Sequence, residues 1–378
     1  MTGDSGLTVF LVVGRLPHSL TRTKAEPLLA TGKIQKLYIF SQDHGFPIHG
    51  AQYVELPETL RRISWKPLRK VCCLLYEPVQ LFWYTLALKP DYINGVGLKP
   101  KGINSFVVSF LLRRKSILSV IGGKVEIPGY SRLGFLWKRW NMLMLRRCSI
   151  VTTTGTNVSR YLREEGVNSG KIFEMAGSID TTIFKPDRAV ERDIDILFVG
   201  TFRPLKGPDR ILEIVSRLKP VLNNIKVYLL GNGRLFPHIQ QRVVEMGLAD
   251  HVTLAGHIKH PVSFFQRAKL LIMPSSSEGL SMAMLEAMAC GCVPIVSNVG
   301  NMTDAAHHAK NAMVVDDYRD IVTFSRYAMQ LLTDSGKWEE LSTRARRMVV
   351  RRYSIAAQGK ICDKMFEFGQ LIKRNGGG

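Results

Sequence analysis

The sequence predicts an α/β protein built from two doubly wound parallel-sheet domains. Its 378 residues suit two domains of ordinary size, each large enough to bury its own core. Short apolar runs rich in β-branched residues alternate with segments of helical periodicity along the chain. The stretch 270–298 shows the repeating unit most clearly, because it reads as strand, loop, helix and strand. That order is one crossover of a parallel sheet, and its repetition indicates the fold class.

The N-terminal half begins with an apolar strand at 7–13, which ends in Gly14-Arg15. Further strands are expected at 36–41, at 116–121 and, as a polar strand, at 149–153, and the segment 89–94 opens another. Helical segments lie between them, at 28–31, 60–88, 103–112, 133–147 and 158–165. Parallel strands need such crossover connections, so this half predicts one parallel sheet.

A polar, charged linker at 185–193 marks the boundary with the C-terminal half. Pro208 opens the helix that follows the first strand of this half, and 282–290 is a helix with apolar residues on both faces. From Arg352 the chain is helical to near its end. The predicted strands are 194–200, 226–233, 252–257, 270–273, 292–297 and 311–316.

The loop between the strand at 270–273 and the helix at 282–290 carries the candidate chemistry. Gly279 lets a ligand approach the backbone, and a helix that starts near Ser281 directs free N–H groups at an anion such as a diphosphate. Glu278 and Glu286 lie eight residues apart, up to about 10 Å along a helix, too far to share a proton or a metal ion. They suit hydroxyl groups at the two ends of an extended ligand with a diphosphate between them, which is the layout of a sugar nucleotide. A buried crossover without any site is the alternative interpretation.

This stretch resembles the E-x7-E motif of glycosyltransferase family 4, written EG…EAMA.G.P, through Glu278, Gly279, Glu286, Ala287, Met288, Ala289, Gly291 and Pro294. The resemblance implies the GT-B fold, in which two Rossmann-like domains face each other across a cleft. It also implies transfer of a sugar from a nucleotide-sugar donor with retention at the anomeric carbon. On this basis we expect an acceptor domain at 1–185, a donor domain at 186–352 and a last helix at 353–378 that crosses back to the acceptor domain.

A second loop resembles the diphosphate clamp of the family, G-R-x-x-x-x-K-G. Gly200 and Lys206 match in register, whereas the usual arginine is replaced and Arg203 comes two residues later. The resemblance implies that Lys206 and Arg203 neutralise the leaving diphosphate and that Glu278 holds the sugar, as the catalytic residues. It implies further donor contacts, with the ribose on the second glutamate, from Gly279, Leu280, Ser281, Glu286, Gly200, Gly233 and His257. The last two are equally consistent with ordinary turns.

The acceptor side matches the family only in outline. Members often place a histidine after the strand corresponding to 116–121, but here the chain reads GGKVE. The candidate acceptor contacts are therefore a set of glycines and charged residues at the ends of two strands: Gly14, Arg15, Gly122, Gly123 and Glu126. For the basic loop after the first strand, a merely solvated loop is the alternative.

The charge of the chain favours polyanionic partners, because 52 Lys and Arg against 31 Asp and Glu give +21. Residues 99–147 hold eleven basic residues and one acidic residue. Within them, 133–147 (LGFLWKRWNMLMLRR) combines tryptophans, leucines and methionines with four basic groups, a composition typical of a helix on an anionic membrane surface. A core-packed helix with a solvated basic face is the alternative. No nucleic-acid-binding motif accompanies these residues, so nucleic acid is not an expected partner.

Three features predict where the protein acts. We expect no membrane-spanning helix, because the apolar segment 71–88 is interrupted by Glu77-Pro78 and Gln80. The six cysteines lack zinc-type spacing and fit free thiols in a reducing compartment. The N-terminus shows no secretory pattern. These features predict a cytoplasmic protein that is peripheral on the cytoplasmic face of the membrane.

The predicted activity is that of a retaining, hexosyltransferase-type enzyme. It moves a sugar from a UDP- or GDP-sugar to a lipid-linked or saccharide acceptor in cell-surface or extracellular polysaccharide or glycolipid synthesis. No cofactor or metal ion is expected, since two cations and a helix N-terminus neutralise the leaving group. The missing histidine and the displaced arginine leave a catalytically inactive nucleotide-sugar-binding subunit as one alternative. A nucleotide-sugar epimerase of the same fold is the other.

Overall fold

The computed structural model describes residues 6–14, 16, 18–41, 47–55, 57–62, 64–121 and 132–375. Its backbone contacts divide the chain into two compact units. The N-terminal unit comprises Met1–Ser178 together with Ile355–Gly378, and the C-terminal unit is Ile179–Ser354. The domain boundaries expected from the sequence, after residues 185 and 352, lie a few residues from this division.

The N-terminal unit is built on a parallel sheet whose strands are β1 (Leu7–Gly14), β2 (Ile34–Ser41), β3 (Ala51–Glu55), β4 (Tyr92–Val96), β5 (Lys115–Val120), β6 (Ile150–Thr153) and β7 (Ile172–Glu174). Their order is β3-β2-β1-β4-β5-β6-β7. Central strands are covered on both faces, so β1 shows an unbroken apolar run rather than polar alternation. The sequence does not predict β3 and β7, because each is a short outer strand that includes a glutamate.

The connecting helices are α1 (His18–Leu29), α2 (Glu58–Arg61), α3 (Lys66–Leu88), α4 (Ile103–Leu111), α5 (Arg132–Arg147) and α6 (Thr156–Glu164). The single helix expected at 60–88 is two helices. Trp65 has extended backbone before α3, and Pro67 occupies the first turn, where its missing N–H has no helical partner to lose. On one face of the sheet Phe10 and Phe40 pack with Cys73 and Leu81 of α3.

The C-terminal unit is a second parallel sheet, with strands β8 (Ile194–Val199), β9 (Val227–Leu230), β10 (Val252–Gly256), β11 (Ala268–Met273), β12 (Val293–Ser297) and β13 (Met313–Val315). Their order is β10-β9-β8-β11-β12-β13. The helices are α7 (Pro208–Leu218), α8 (Phe236–Glu245), α9 (Val262–Arg267), α10 (Met282–Ala289), α11 (Ile321–Thr333) and α12 (Ser335–Arg352). The predicted fold class, a doubly wound parallel sheet in each half, is confirmed.

The last helix, α13 (Ile355–Asn375), belongs to the N-terminal unit although it follows the C-terminal unit in the chain. Its buried residues Cys362, Met365 and Phe366 join the same cluster as Val9 of β1. The ring of Phe366 lies 5.2 Å from the ring of Tyr92, centroid to centroid. The core of the N-terminal unit is therefore completed by residues from the end of the chain.

Candidate functional site

The C-terminal sheet reverses its winding direction between β8 and β11, which are neighbours. From β8 the chain adds β9 and β10 on one side, and it then returns to place β11 on the other side of β8. The carboxyl ends of parallel strands share one edge of the sheet, and ligands bind there at the point of reversal. The loops after β8 and β11 are the two that the sequence singles out.

An ion pair between Lys206 and Glu278 connects these two loops. Lys206 Nζ donates to Glu278 Oε1 at 2.6 Å, and Ser275 Oγ donates to the same oxygen at 3.0 Å. The Glu278 side chain is 6% exposed and the Lys206 side chain 23% exposed. A carboxylate so far from water needs a cation beside it, because desolvating an unpaired ion is costly. The structure thus brings together two residues that the sequence assigns to separate motifs.

Further hydrogen bonds hold the two loops in place. Ser276 N donates to the Leu205 carbonyl at 2.8 Å. Arg210, on the first turn of α7, donates through Nε to the Pro274 carbonyl at 2.7 Å and through Nη2 to the Pro204 carbonyl at 3.2 Å. The sequence analysis missed Arg210, whose only signal is its place one turn after the clamp. Its guanidinium fixes the backbone on both sides of the ion pair.

The loop after β11 leads into α10 through Ser281. Ser281 has extended backbone and its Oγ accepts from Met284 N at 3.3 Å, which is an N-cap. The remaining N–H groups of the first turn have no helical partner and favour an anion. Gly279 is exposed, and no described atom lies within 4 Å of the position that a Cβ would take there. The open side of the loop is therefore at the glycine, as expected for close approach of a ligand.

A turn after β12 supports the backbone of this loop from the other side. Asn301 N donates to the Gly279 carbonyl at 3.0 Å. Gly300 has φ +58°, and a Cβ at this position would lie 1.8 Å from the carbonyl oxygen of Glu278. Only glycine fits both this left-handed conformation and this close contact. The position of Glu278 thus depends on a residue that no motif in the sequence identifies.

Glu286 lies on α10, about one and a half turns beyond the N-cap Ser281, and is half-buried. Burial raises the pKa of its carboxyl group to about 7, because water no longer solvates the charged form. Its carboxyl group forms no hydrogen bond or ion pair with any residue that the structure describes. A half-buried acid without a protein partner is suited to hydroxyl groups of a ligand.

A cavity of about 640 Å³ opens beside the loop after β8. It contains two arginines and the backbone of two turns, with the lining Thr201, Arg203, Pro204, Leu205, Asn232, Gly233 and Arg234. Arg203 and Gly233 were predicted from the sequence, whereas Arg234 was missed, although it directly follows the glycine turn after β9. Gly200 ends the strand here and donates through its N–H to the Leu230 carbonyl at 3.0 Å. The cavity is suited to an anionic ligand.

The remaining candidates lie elsewhere. His257 follows β10, the outer strand two places from β8, and its exposed side chain is not among the residues that line the cavity. Gly14 ends β1 of the N-terminal unit, where its carbonyl accepts from Ser41 Oγ at 3.2 Å and the Lys101 side chain lies against it. The other four acceptor candidates lie outside the described residues: Arg15, Gly122, Gly123 and Glu126.

Among the described residues, no group of three or more His, Cys, Asp or Glu side chains is arranged to hold a metal ion. The Asp193-Ile194-Asp195 segment that begins β8 uses both carboxylates in ion pairs. Asp193 accepts two hydrogen bonds from Arg267 at 2.7 Å each, which lowers its pKa, and Asp195 pairs with Lys269 at 2.8 Å. These pairs join the amino ends of β8 and β11, away from the candidate site.

The family of the C-terminal unit follows from its sequence. Residues 180–348 match the family model described as "Glycosyl transferases group 1". The C-terminal unit, Ile179–Ser354, is similar to this family over nearly all of its length. The match contains both loops of the ion pair and all of α10, so the candidate site lies within the part of the chain that carries the family assignment.

Curated relatives match this chain over part of their length. The D-inositol 3-phosphate glycosyltransferase of Jonesia denitrificans is 29% identical over 200 residues, which cover 47% of this chain and 47% of that protein. The GDP-mannose-dependent alpha-(1-6)-phosphatidylinositol monomannoside mannosyltransferase of Mycobacterium tuberculosis is 23% identical over 242 residues, covering 57% and 63%. The chain spans about half the length of the curated relatives it matches.

Solved structures match both units. HepE of Anabaena, in complex with UDP and glucose, has a TM-score of 0.75 at 12% identity, with 96% of this chain and 99% of HepE covered. Sucrose-phosphate synthase from Thermosynechococcus elongatus has a TM-score of 0.76 at 19% identity, with 97% and 100% covered. At these identities the likeness shows the fold alone. That fold is GT-B, as the sequence predicts.

Proposed function

We propose that the chain is a retaining glycosyltransferase that moves a sugar from a UDP- or GDP-sugar to a saccharide or lipid-linked acceptor. The observation that carries the proposal is the Lys206–Glu278 ion pair, which lies where the sheet of a group 1 domain reverses its winding. A cation, a buried carboxylate and a capped helix N-terminus in one place are what a nucleotide diphosphate-sugar requires.

The two residues of the ion pair are the ones that contact the donor when it binds. Lys206 compensates the charge of Glu278 at 2.6 Å. When a donor binds, its diphosphate attracts the Lys206 ammonium together with Arg203, and Glu278 becomes free to accept hydrogen bonds from the sugar hydroxyls. Glu286, further along α10, accepts hydrogen bonds from the ribose hydroxyls. The charge that the donor brings is therefore matched by the charges of Lys206 and Arg203.

The reaction proceeds by attack of the acceptor on the same face of the sugar that the leaving group occupies. The bond from the anomeric carbon to the phosphate oxygen breaks, the bond to the acceptor oxygen forms, and the acceptor proton passes to the leaving phosphate. Lys206, Arg203 and the N-terminus of α10 stabilise the charge that develops on the diphosphate. Covalent retention requires a carboxylate nucleophile. Glu278 is assigned to the sugar hydroxyls and Glu286 to the ribose, so neither supplies it.

The charge of the N-terminal unit supports an anionic acceptor at a membrane surface. This unit holds 29 of the 52 basic and 13 of the 31 acidic residues, so it carries +16 of the net +21. One side of α5 packs into the core through Met144 and Leu145, while the other exposes Leu136 and Trp140 beside Arg139. The relatives named above act on an inositol phosphate and a phosphatidylinositol mannoside, which are phosphorylated acceptors by name. These observations support a lipid-linked acceptor at the cytoplasmic face of the membrane, in glycolipid or cell-surface polysaccharide synthesis, as part of the proposal.

The test is nucleotide release from a panel of UDP- and GDP-sugars, with and without a membrane-lipid extract. We expect release from one donor, stimulated by the extract and lost in Lys206→Ala and Glu278→Ala. The control is Lys269→Ala, which removes a lysine–aspartate pair of the same unit, with Asp195 at 2.8 Å, without touching the site. Binding of a donor without release would contradict the proposal and indicate an inactive binding subunit. Conversion of the donor sugar without an acceptor would indicate an epimerase.

A further inference from the structure

Between Val71 and Leu88, helix α3 has three polar side chains on the side that faces the sheet and a series of apolar side chains on the opposite side. The stripe that faces the N-terminal sheet contains Glu77, Gln80 and Thr85, which are buried beside Cys73 and Leu81. Gln80 Nε2 donates to the Glu55 carbonyl of β3 at 2.8 Å. A surface helix in water normally has the opposite arrangement, with its polar side chains exposed. The exposure of apolar side chains on the other side of α3 therefore needs its own explanation.

The outward side of α3 is a continuous apolar stripe, which we call the α3 face: Trp65, Leu68, Val71, Leu75, Val79, Trp83 and Leu86. Its members follow one another at spacings of three or four residues, so they line one side of the helix over about 32 Å at 1.5 Å per residue. Leu75 is 68% exposed and Trp83 65% exposed. Scattered apolar residues are normal on a protein surface, but a contiguous stripe of this length marks an interaction surface.

The neighbouring helix extends the same kind of surface and adds positive charge. α4 packs against α3, and its last turn exposes Phe110 and Leu111 at 70% and 62%. Arg113 follows directly and is exposed, as is Lys89 at the end of α3. An apolar stripe bordered by basic side chains, on a unit with a net charge of +16, complements acyl chains and anionic headgroups.

We propose that the α3 face, with the end of α4, inserts into the interfacial layer of an anionic lipid bilayer, with α3 lying in the plane of the membrane. By length and composition, Val71–Leu88 is able to cross a membrane, which the sequence analysis did not expect. The contacts of α3 favour the in-plane arrangement instead, because its inner stripe covers the sheet through Cys73 and Leu81. Polar groups then stay within the protein, and only the apolar side meets lipid.

This inference names the surface by which the membrane contact of the proposed function is made, and it requires neither donor nor acceptor. It also differs in kind from adsorption through basic residues. Salt screens attraction between charges on a surface, whereas it does not weaken the burial of apolar side chains. The salt dependence of vesicle binding therefore separates insertion of the α3 face from electrostatic contact through α5.

The experiment measures co-sedimentation of the full chain with vesicles of phosphatidylcholine and phosphatidylglycerol at low and high salt. We expect binding that persists at about 1 M salt, where the Debye length is about 3 Å. Leu75→Glu combined with Val79→Glu should lower the partition coefficient at least about tenfold, because both side chains lose apolar burial and gain a charge that lipid disfavours. The matched control is Val221→Glu combined with Val244→Glu, at exposed valines of the C-terminal unit, which should bind as the unchanged protein does.

Two outcomes would overturn the inference. One is binding that disappears at high salt or is equal in the two double variants. The other is a dimer in sedimentation velocity without lipid, dissociated by the α3 double variant and accompanied by no vesicle binding, because a second copy would then cover this face. Circular dichroism of both double variants checks that they fold. Vesicle binding by a protein that releases no nucleotide would leave this inference intact and contradict only the proposed transfer reaction.

Discussion

The pKa of Glu286 predicts that donor binding depends on pH between 6 and 8. Burial raises this pKa to about 7, so about nine-tenths of the carboxyl groups are protonated at pH 6 and about one-tenth at pH 8. If the ionised carboxylate accepts hydrogen bonds from the ribose hydroxyls, donor affinity is proportional to the fraction of Glu286 that is ionised. Donor affinity should therefore fall about tenfold from pH 8 to pH 6.

Glu286→Gln removes this titration and should make donor affinity independent of pH in this range. A hydrogen bond to a charged acceptor is worth about 1 kcal/mol more than one to a neutral acceptor, so the variant should bind several-fold more weakly at pH 8. At pH 6 the two proteins should differ little. Titration calorimetry with the donor that supports release measures both effects. The control is Glu340→Gln, which removes an exposed carboxylate paired with Arg344 and should keep the unchanged pH profile.

Stability should change in the opposite direction. A carboxyl group whose pKa is raised by folding contributes most to stability below its ordinary pKa of 4.5, and this contribution is lost as pH rises through 7. The loss is at most about 3 kcal/mol at pH 8, and the partial exposure of the side chain reduces it. At pH 8 the Glu286→Gln variant should therefore have its unfolding midpoint at a higher urea concentration than the unchanged protein. An affinity that does not vary with pH in the unchanged protein, or an equal slope in the variant, would refute the reasoning.

Three further predictions concern single positions. Gly300→Ala should lower the free energy of unfolding by more than about 2 kcal/mol and weaken donor binding, because its Cβ would lie 1.8 Å from the Glu278 carbonyl oxygen. Gly279→Ala should weaken donor binding without this loss of stability. Equal stability of the two variants in urea unfolding would contradict this prediction. A double-mutant cycle of Lys206→Met and Glu278→Gln should give a coupling of about 1–3 kcal/mol in thermal unfolding, and a value near zero would show that the pair contributes nothing. Phe366→Ala should destabilise the N-terminal unit by about 3–5 kcal/mol in urea unfolding. If this loss of stability were no larger than that of an alanine substitution at an exposed position of α13, Phe366 would not be a core residue.

The central elements were predictable because local chemistry determines them. Strands that are buried on both faces are apolar along their whole length, so the sequence predicts them directly. A loop that binds an anion combines glycine with the N-terminus of a helix, and the sequence shows this combination as well. The pairing of Lys206 with Glu278 was not predictable, because only the strand order places their loops side by side. The role of Gly300 depends on contact with a distant backbone, and no local pattern reports it. The direction in which α3 faces was not predictable either, because polar residues such as Glu77 and Gln80 ordinarily mark the solvent side of a helix, whereas here they are buried.

The place of α13 in the N-terminal unit has a consequence for how the protein is made. Phe366 and its neighbours enter a core whose other residues, such as Val9 and Leu11, leave the ribosome more than 350 residues earlier. At about 5–20 residues per second, the first unit waits tens of seconds for its last helix, while the C-terminal unit has its whole sequence available first. During that interval one face of the N-terminal sheet lacks the part of its cover that α13 supplies. A chain that loses its last twenty-four residues, from Ile355 onward, never leaves this incomplete state.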